Sequence, residues 1–246
     1  MANPDSFGLI VIGDEILLGT RRDRHVEGFR TLLDERGFRL AWVQILPDDP
    51  ELLIWRLRGS MDEGLPVFCC GGIGATPDDH TRACAAAAAD VPLVRHPEAL
   101  AILEDKFGED LYPNRILMAE LPEGSELIQN PINRVPGFSI RRHYFVPGFP
   151  DMAHPMARWV LQKHYAAGTP RQQQCSVRVF GVPESELMPL MEQMIAAYPR
   201  LKLFSLPRMG DASFVELGFR GTEGCELACE ELQRCLAEAG MRFERT

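Results

Sequence analysis

Residues 66–89 read PVFCCGGIGATPDDHTRACAAAAA, and this stretch decides the fold. Its first five residues form a continuous apolar run, which is typical of a strand buried on both faces of a sheet. A glycine-rich loop follows, and residues 78–89 are predicted to form a helix whose alanines allow close packing on that sheet. A buried strand, a glycine loop and a helix in this order indicate a βα unit of a parallel sheet.

The same alternation of apolar runs and helical patterns extends outward from this stretch. Strands that alternate with helices form right-handed crossovers and a sheet covered on both faces. We therefore predict that residues 1–168 form a three-layer, doubly wound α/β domain with a mostly parallel sheet. Its other strands are predicted at residues 8–12, 40–46 and 140–146, and its other helices at residues 26–36, 51–61, 97–107 and 151–164.

The C-terminal third of the chain has a different order of elements. The polar residues 167–174 are predicted to be a linker. The order that follows is βαββαβ, as in the ferredoxin-like fold. Residues 175–246 are therefore expected to form a small α/β sandwich. Its strands are predicted at residues 176–182, 201–206, 213–219 and 241–244, its helices at residues 184–197 and 225–239, and a turn at Gly210-Asp211.

The charge balance restricts the kinds of partner to expect. The 246 residues include 26 Lys and Arg against 35 Asp and Glu, so the formal net charge is −9. Phosphate surfaces attract basic patches, so this balance argues against nucleic acid or an anionic membrane as the main partner. The first apolar run, residues 9–12, is too short to span a membrane, and no basic secretory segment precedes it. We expect a cytoplasmic protein without a membrane partner.

Glycines and carboxylates follow every predicted strand of the first domain. In open parallel sheets, ligands bind beyond the carboxyl ends of the strands. The sequence therefore predicts one ligand-binding edge. Its residues are Gly13, Asp14 and Glu15 after the first strand, Asp48 after the second, residues 71–79 after the third, and Pro147, Gly148 and Pro150 after the last.

The loop after the third strand predicts an anion site. Gly71, Gly72 and Gly74 let backbone N–H groups turn towards a ligand without interference from a Cβ atom. Thr76 suits the N-cap of the following helix and Pro77 its first turn, which adds the positive end of a helix dipole. The motif is neither a Walker A loop nor a GxGxxG dinucleotide fingerprint.

Asp78 and Asp79 would repel a phosphate bound to this loop. A divalent cation such as Mg²⁺ between carboxylate and phosphate oxygens removes that conflict. The alternative is that both side chains only cap the helix. With Asp14, Glu15 and Asp48 expected at the same edge, we favour metal-assisted phosphate chemistry.

Two amides lie in the Pro- and Gly-rich segment that precedes the last strand of the first domain. Asn130 and Asn133 could read the edge of a purine or pterin ring. An Asx-turn role is equally open for both residues.

Three motifs make residues 8–165 resemble the molybdopterin-binding (MoaB/Mog-like) domain, which is shared by molybdenum-cofactor biosynthesis proteins and the competence/damage-inducible protein A (CinA) family. They occur in the family's order and spacing. Residues 175–246 resemble the small, KH-like second domain of the CinA group. The motifs are Gly13-Asp14-Glu15-Ile16-Leu17-Leu18-Gly19, the loop of residues 71–79, and Pro147-Gly148-Phe149-Pro150-Asp151-Met152.

The resemblance implies a small-molecule site for a pterin or an adenine nucleotide. Some relatives adenylylate molybdopterin, and some use a divalent metal to hydrolyse ADP-ribose to AMP and ribose 5-phosphate. Carried over by motif, Asp48, Asp78 and Asp79 would bind the metal, and Asp48 and Asp79 would be catalytic. By the same motifs Gly72, Gly74 and Thr76 would hold phosphate.

The chain departs from the family pattern at two places that would line the ligand. Where the family has an Asn-containing stretch, this chain has Arg21-Arg22-Asp23-Arg24-His25. The arginines could meet phosphates, or they could form a solvated loop. Relatives also carry Asn-x-Asn-Gly before a Pro-Gly, where this chain has residues 130–137.

Our first hypothesis for the function is a divalent-metal-dependent phosphoanhydride hydrolase that acts on ADP-ribose-like nucleotides. The alternative is molybdopterin binding or adenylylation. RNA binding through Gly221-Thr222-Glu223-Gly224, which spells the KH-type GxxG, is a lesser alternative because the surrounding residues are acidic. We expect a homo-oligomer, either a dimer or a trimer. The length leaves no room for the amidase domain of longer CinA relatives, so that activity is not expected.

Overall fold

The structure is a computed structural model that describes residues 5–166, 173–208 and 213–246. Most of the predicted linker, residues 167–172, lies outside the described residues, as does the predicted turn at Gly210-Asp211. The chain divides into two compact units, Met1–Thr169 and Pro170–Thr246, and each unit is described by itself.

The first unit is built on a six-stranded sheet with the order β2-β1-β3-β8-β7-β6. Strands β2, β1, β3 and β8 run parallel, whereas β7 and β6 are antiparallel additions at one edge. A separate two-stranded ribbon pairs β4 with β5. The strands are β1 (Ser6–Ile12), β2 (Arg39–Leu46), β3 (Val67–Cys70), β4 (Leu93–Arg95), β5 (Glu120–Pro122), β6 (Glu126–Ile128), β7 (Gly137–Ile140) and β8 (His143–Val146).

Helices cover both faces of this sheet, as the alternation of side chains along β1 requires. Phe7, Leu9 and Val11 pack into a core that also contains residues of α2 and α6. Ile10 and Ile12 point to the other face, where they join residues of α3, α4 and α5. The predicted three-layer α/β fold is confirmed. The helices are α1 (Asp14–Leu17), α2 (His25–Asp34), α3 (Pro50–Glu63), α4 (Thr81–Ala89), α5 (Pro97–Phe107) and α6 (Pro150–His164), and two 3-10 turns lie at Gly108–Leu111 and Arg115–Ala119.

The predicted strand over residues 140–146 is wrong in its first half. Arg141 and Arg142 both have positive φ, 46° and 63°, and they form the turn between the antiparallel strands β7 and β8. A two-residue hairpin turn with positive φ at both positions is usually signalled by Asn or Gly. Two arginines carry no such signal, so the apolar pattern across the turn predicts a single strand.

The second unit is an antiparallel sheet with the order β10-β11-β9-β12. The chain order is strand, helix, strand, strand, helix, strand, which confirms the predicted small α/β sandwich. The Gly221–Gly224 motif joins β11 to α8, and Gly224 precedes the helix with φ +83°. No helix within the described ranges is long and apolar enough to cross a membrane. The elements are β9 (Gln173–Phe180), α7 (Glu184–Ala197), β10 (Lys202–Arg208), β11 (Phe214–Gly221), α8 (Cys225–Glu238) and β12 (Arg242–Arg245).

A buried histidine in the first unit makes stability depend on pH. His143 at the start of β8 is 0% exposed, its Nδ1 lies 3.1 Å from the Arg141 carbonyl oxygen, and its Nε2 lies 2.8 Å from Ser60 Oγ. Burial lowers the pKa of His143 from 6.5 to about 4. Between these two values the unfolded chain binds a proton that the folded protein excludes. Stability is therefore lost as the pH falls from 6.5 towards 4.

We predict that His143→Gln flattens this acid dependence. The native protein should lose up to about 3 kcal/mol of unfolding free energy over this range from this group, and the variant should not. Urea unfolding at a series of pH values measures the difference. His80→Gln, at a less buried histidine, is the control. Equal slopes in the native protein and His143→Gln would contradict the prediction.

Candidate functional site

Three strand ends meet backbone to backbone at Gly71. Its N–H donates to the Val146 carbonyl at the end of β8, at 3.0 Å. A Cβ atom on Gly71 would lie 2.2 Å from the carbonyl oxygen of Ile12, the last residue of β1, and its φ is +113°. A Cβ atom on Gly148 would lie 3.3 Å from the α-carbon of Gly71. The loops after β1, β3 and β8 are therefore brought together, as the sequence predicts.

The glycine loop does not enter its helix where the sequence predicts. Residues 76–79 form a turn in which the Asp79 N–H donates to the Thr76 carbonyl at 3.0 Å, and α4 begins only at Thr81. Thr76 is therefore not an N-cap, and Pro77 occupies the turn instead of the helix. The Asp79 carboxylate stabilises this turn, because its Oδ2 accepts hydrogen bonds from Thr76 N at 2.8 Å and Thr76 Oγ1 at 2.5 Å.

Consecutive backbone donors in this loop have no acceptor among the described residues. The N–H groups of residues 72–75 donate no hydrogen bond to any other described residue. Gly72 has φ +65°, and its carbonyl accepts the N–H of Thr81 at 3.0 Å. A row of backbone N–H groups in such a turn forms a concave binding site for anionic or carbonyl oxygens.

A buried arginine, which the sequence does not single out, braces the loop from inside. Arg82 is 7% exposed, and its guanidinium donates to the Gly74 carbonyl at 2.9 Å and the Glu120 carbonyl at 3.2 Å, as well as to the Leu117 carbonyl. Burial lowers its pKa, while the charges of Asp79 and Glu120 act in the opposite direction. Only the tertiary contacts distinguish it from a surface arginine of the helix.

Asp14 and Asp48 join the ends of β1 and β2. The Asp14 N–H donates to Asp48 Oδ2 at 3.0 Å, and the Asp48 N–H lies 3.4 Å from Asp14 Oδ1. Burial raises the pKa of Asp48, the hydrogen bond from Asp14 lowers it, and the charges of Asp14, Glu15 and Asp78 raise it further. The predicted carboxylates after three different strands are thus close enough to affect one another.

These carboxylates do not form a ready-made metal cage. The described residues contain no group of three or more His, Cys, Asp or Glu side chains arranged to hold a metal ion. Asp78 is exposed, and Asp79 is turned back onto Thr76. Mg²⁺ commonly binds through one or two carboxylates together with ligand phosphates, and the donor set of Asp48 and its neighbours fits that mode.

The turn after β8 completes the edge. Pro147 and Gly148 link β8 to α6, which starts at Pro150 with Phe149 as its N-cap. His25, at the start of α2, is 3% exposed, and its Nε2 lies 3.2 Å from the Gly148 carbonyl oxygen. Burial lowers the pKa of His25. His25 therefore fixes the 21–25 segment to the turn after β8.

The two amides form Asx turns. Asn133 Oδ1 accepts from Asn130 Nδ2 at 2.7 Å and Val135 N at 2.9 Å, and Asn133 Nδ2 lies 3.1 Å from Met152 Sδ. Asn130 Oδ1 accepts from Ile132 N at 3.0 Å. Every polar side-chain atom of Asn133 is therefore engaged within the protein, and Asn130 borders a separate cavity of about 590 Å³.

Fold and candidate site together describe a doubly wound α/β protein with polar loops gathered at the carboxyl edge of its sheet. The site offers backbone N–H donors beside carboxylate acceptors. A family model described as "Probable molybdopterin binding domain" matches residues 8–167, and the chain belongs to this family. The predicted family membership is confirmed.

Relatives extend the comparison to the rest of the chain. A protein of Pyrobaculum arsenaticum is 26% identical over 94% of this chain and 91% of its own length. A CinA-like protein of Geobacter sp. (strain M21) is 32% identical over 79% of this chain, which spans about half (49%) of that relative. The crystal structure of CinA from Thermoplasma acidophilum, a protein of unknown function, superposes with a TM-score of 0.60 at 25% identity and covers 65% of this chain and 99% of that one.

We predict that Gly72→Ala disrupts the loop. A Cβ atom at Gly72 would lie 2.2 Å from Thr81 Oγ1, at φ +65°. The backbone conformation alone costs about 1 kcal/mol, and the contact adds to it. Gly59→Ala is the matched control, because a Cβ atom there meets no atom within 4 Å and alanine favours the helix α3. Urea unfolding should show destabilisation of the first variant only.

We also predict that Arg82→Met destabilises the first unit by about 2–4 kcal/mol, because it leaves buried carbonyl groups without their charged donor. Arg58→Met is the control, since Arg58 is exposed and donates to one carbonyl, that of Ala87 at 2.9 Å. The control should change unfolding by less than about 1 kcal/mol. Equal effects of the two substitutions would show that Arg82 is not a structural brace.

Proposed function

We propose that this protein binds a phosphorylated pterin of the molybdopterin type at the carboxyl edge of the sheet. The observation that carries the proposal is the row of free N–H groups at residues 72–75, on the same edge as the joined carboxylates Asp14 and Asp48. Membership of the molybdopterin-binding domain family supports the choice of a pterin.

The two kinds of group suit different parts of such a ligand. A pterin ring carries an amino group and a ring N–H side by side, and a carboxylate accepts both in a paired arrangement. Asp48 keeps one carboxylate oxygen on the Asp14 N–H, which orients it. The N–H groups of residues 72–75 bind acceptor oxygens of the ligand. Ring recognition would thus be assigned to the carboxylates and oxygen recognition to the loop.

A second candidate is phosphoanhydride chemistry on an adenine nucleotide, either hydrolysis of an ADP-ribose-like compound or adenylyl transfer. Burial, followed by the charges of Asp14, Glu15 and Asp78, raises the pKa of Asp48, and a divalent cation would offset both the burial and the repulsion, which favours this candidate. Asp48 and Asp78 would hold the cation together with ligand phosphates, and the cation would supply charge neutralisation. Asp79 would shape the loop through Thr76.

We predict that Asp48→Asn weakens molybdopterin binding about tenfold or more, because an amide replaces a charged acceptor. Anaerobic fluorescence titration of the pterin measures this. Asp62→Asn, at an exposed carboxylate of α3, is the matched control and should bind like the native protein. Equal affinities in native protein and Asp48→Asn would contradict the assignment of the ring to this carboxylate.

The nucleotide candidate is tested on the same proteins. ADP-ribose should raise the melting temperature only when Mg²⁺ is present, and AMP should be released. If neither occurs, the hydrolase hypothesis is wrong while pterin binding stands. Activity that survives Asp79→Asn would agree with a loop-shaping role for Asp79 and contradict its assignment as a catalytic residue.

Two further expectations stay predictions. Assembly into a dimer or trimer is measured by light scattering of the full chain. RNA binding through the Gly221–Gly224 motif predicts a melting shift with a short single-stranded RNA, and the acidic residues Glu223 and Glu226 beside the motif argue against it.

A further inference from the structure

The 21–25 segment lines a cavity beside the glycine loop. The cavity encloses about 210 Å³ between β1, α1, the start of α2 and the β8–α6 turn. This volume equals the share of about seven liquid water molecules, which is enough for a phosphate group. Its lining includes Arg21, Arg22 and Arg24, and it adjoins the glycine loop through Cys70, the residue before Gly71, and through Gly148. A ligand on the glycine loop can therefore extend into it.

Two of the three arginines have no partner in the described part of the chain. The exception is Arg21, whose Nη1 lies 3.7 Å from Glu15 Oε1. Its guanidinium carbon also lies 5.3 Å from the centre of the Phe149 ring. The Asp23 carboxylate accepts the backbone N–H groups of His25 and Val26 at 3.0 and 3.1 Å, so it is used to start α2.

Arg22 and Arg24 form neither a hydrogen bond nor an ion pair with any described side chain, and Asp151 is the remaining carboxylate of the lining. The chain has a net charge of −9, so three arginines within four positions make this segment locally positive in an acidic protein.

The opposite wall adds further donors. Helix α6 begins there without a side-chain cap, so its positive end faces the cavity uncapped. His25 also lines the cavity. Its Nε2–H donates to the Gly148 carbonyl, so His25 holds this wall in place and offers the ligand no donor of its own. The cavity therefore brings together arginines without a partner among the described residues and the N-terminus of a helix.

We infer that this cavity binds the terminal phosphate monoester of the ligand, held by Arg22 and Arg24. The inference rests on the proposed function, because a phosphorylated ligand must lie on the glycine loop for its phosphate to reach the cavity. Guanidinium groups bind phosphate oxygens in pairs, with both charge and geometry favouring the contact. The 21–25 segment then selects ligands that end in a phosphate.

In the first test, inorganic phosphate and acetate are titrated into the full chain, and calorimetry measures their binding. The double variant Arg22→Gln/Arg24→Gln should bind phosphate at least about tenfold more weakly than the native protein. The double variant Arg30→Gln/Arg39→Gln removes the same charge from exposed positions outside the cavity and is the matched control. Acetate should bind the native protein and both double variants with the same affinity. Melting curves establish that both double variants fold.

The second test separates this inference from the proposed function. A pterin carrying a phosphate monoester should lose affinity in Arg22→Gln/Arg24→Gln, whereas the same pterin without phosphate should bind that variant and the native protein equally. Phosphate binding that is equal in the two double variants, or absent from the native protein, overturns the inference. If Arg22→Gln/Arg24→Gln weakens phosphate binding but the native protein binds no pterin, the phosphate site stands and the proposed pterin ligand is wrong.

Discussion

Close backbone contact at Gly71 is the constraint on which the site depends. The residue lies between the ends of β1 and β8, and any side chain there would collide with the Ile12 carbonyl oxygen, 2.2 Å from a Cβ atom. The absence of a side chain lets three neighbouring strands deliver their loops to one point. Hydrophobic burial on both faces of the sheet holds the strands, but it does not by itself bring the loop backbones into contact. That contact places the free N–H groups of residues 72–75 beside the carboxylates that follow the other strands.

Charged side chains of both signs stabilise the backbone of the site: a buried guanidinium donates to carbonyl groups, and carboxylates accept backbone N–H groups. On the inner side, the buried Arg82 guanidinium donates to the Gly74 carbonyl of the glycine loop and to the Leu117 and Glu120 carbonyls behind it. On the outer side, Asp14 and Asp48 accept each other's backbone N–H groups, so each carboxylate is oriented in spite of the repulsion between them. Asp79 is used inside the loop, where it turns residues 76–79 and delays the helix to Thr81. The three carboxylates therefore have different structural roles.

The 21–25 segment shows how a shared scaffold becomes particular to one chain. The glycine loop and the turn after β8 carry the motifs on which the resemblance rests, whereas this segment carries three arginines and a histidine where the resemblance leads us to expect an Asn-containing stretch. His25 joins the segment to Gly148, so the replacement is built into the same backbone junction as the family motifs. The centre itself leaves little freedom, since the junction tolerates no side chain at Gly71.

The sequence by itself determined the layered α/β fold, the βαββαβ order of the second unit and the glycines and carboxylates that follow the strands of the first unit, because burial and glycine positions leave local signals. It did not determine the late start of α4, the turn at Arg141-Arg142, or the roles of Arg82 and His25. The late start of α4 follows from the local hydrogen bonds between Asp79 and Thr76, and the turn follows from the pairing of β7 with β8, and neither leaves a periodic signal in the sequence. The roles of Arg82 and His25 depend on partners distant in sequence: Leu117 and Glu120 for Arg82, and Gly148 for His25. Tertiary structure decided them, because a charged or polar side chain is buried only where distant groups supply its hydrogen bonds.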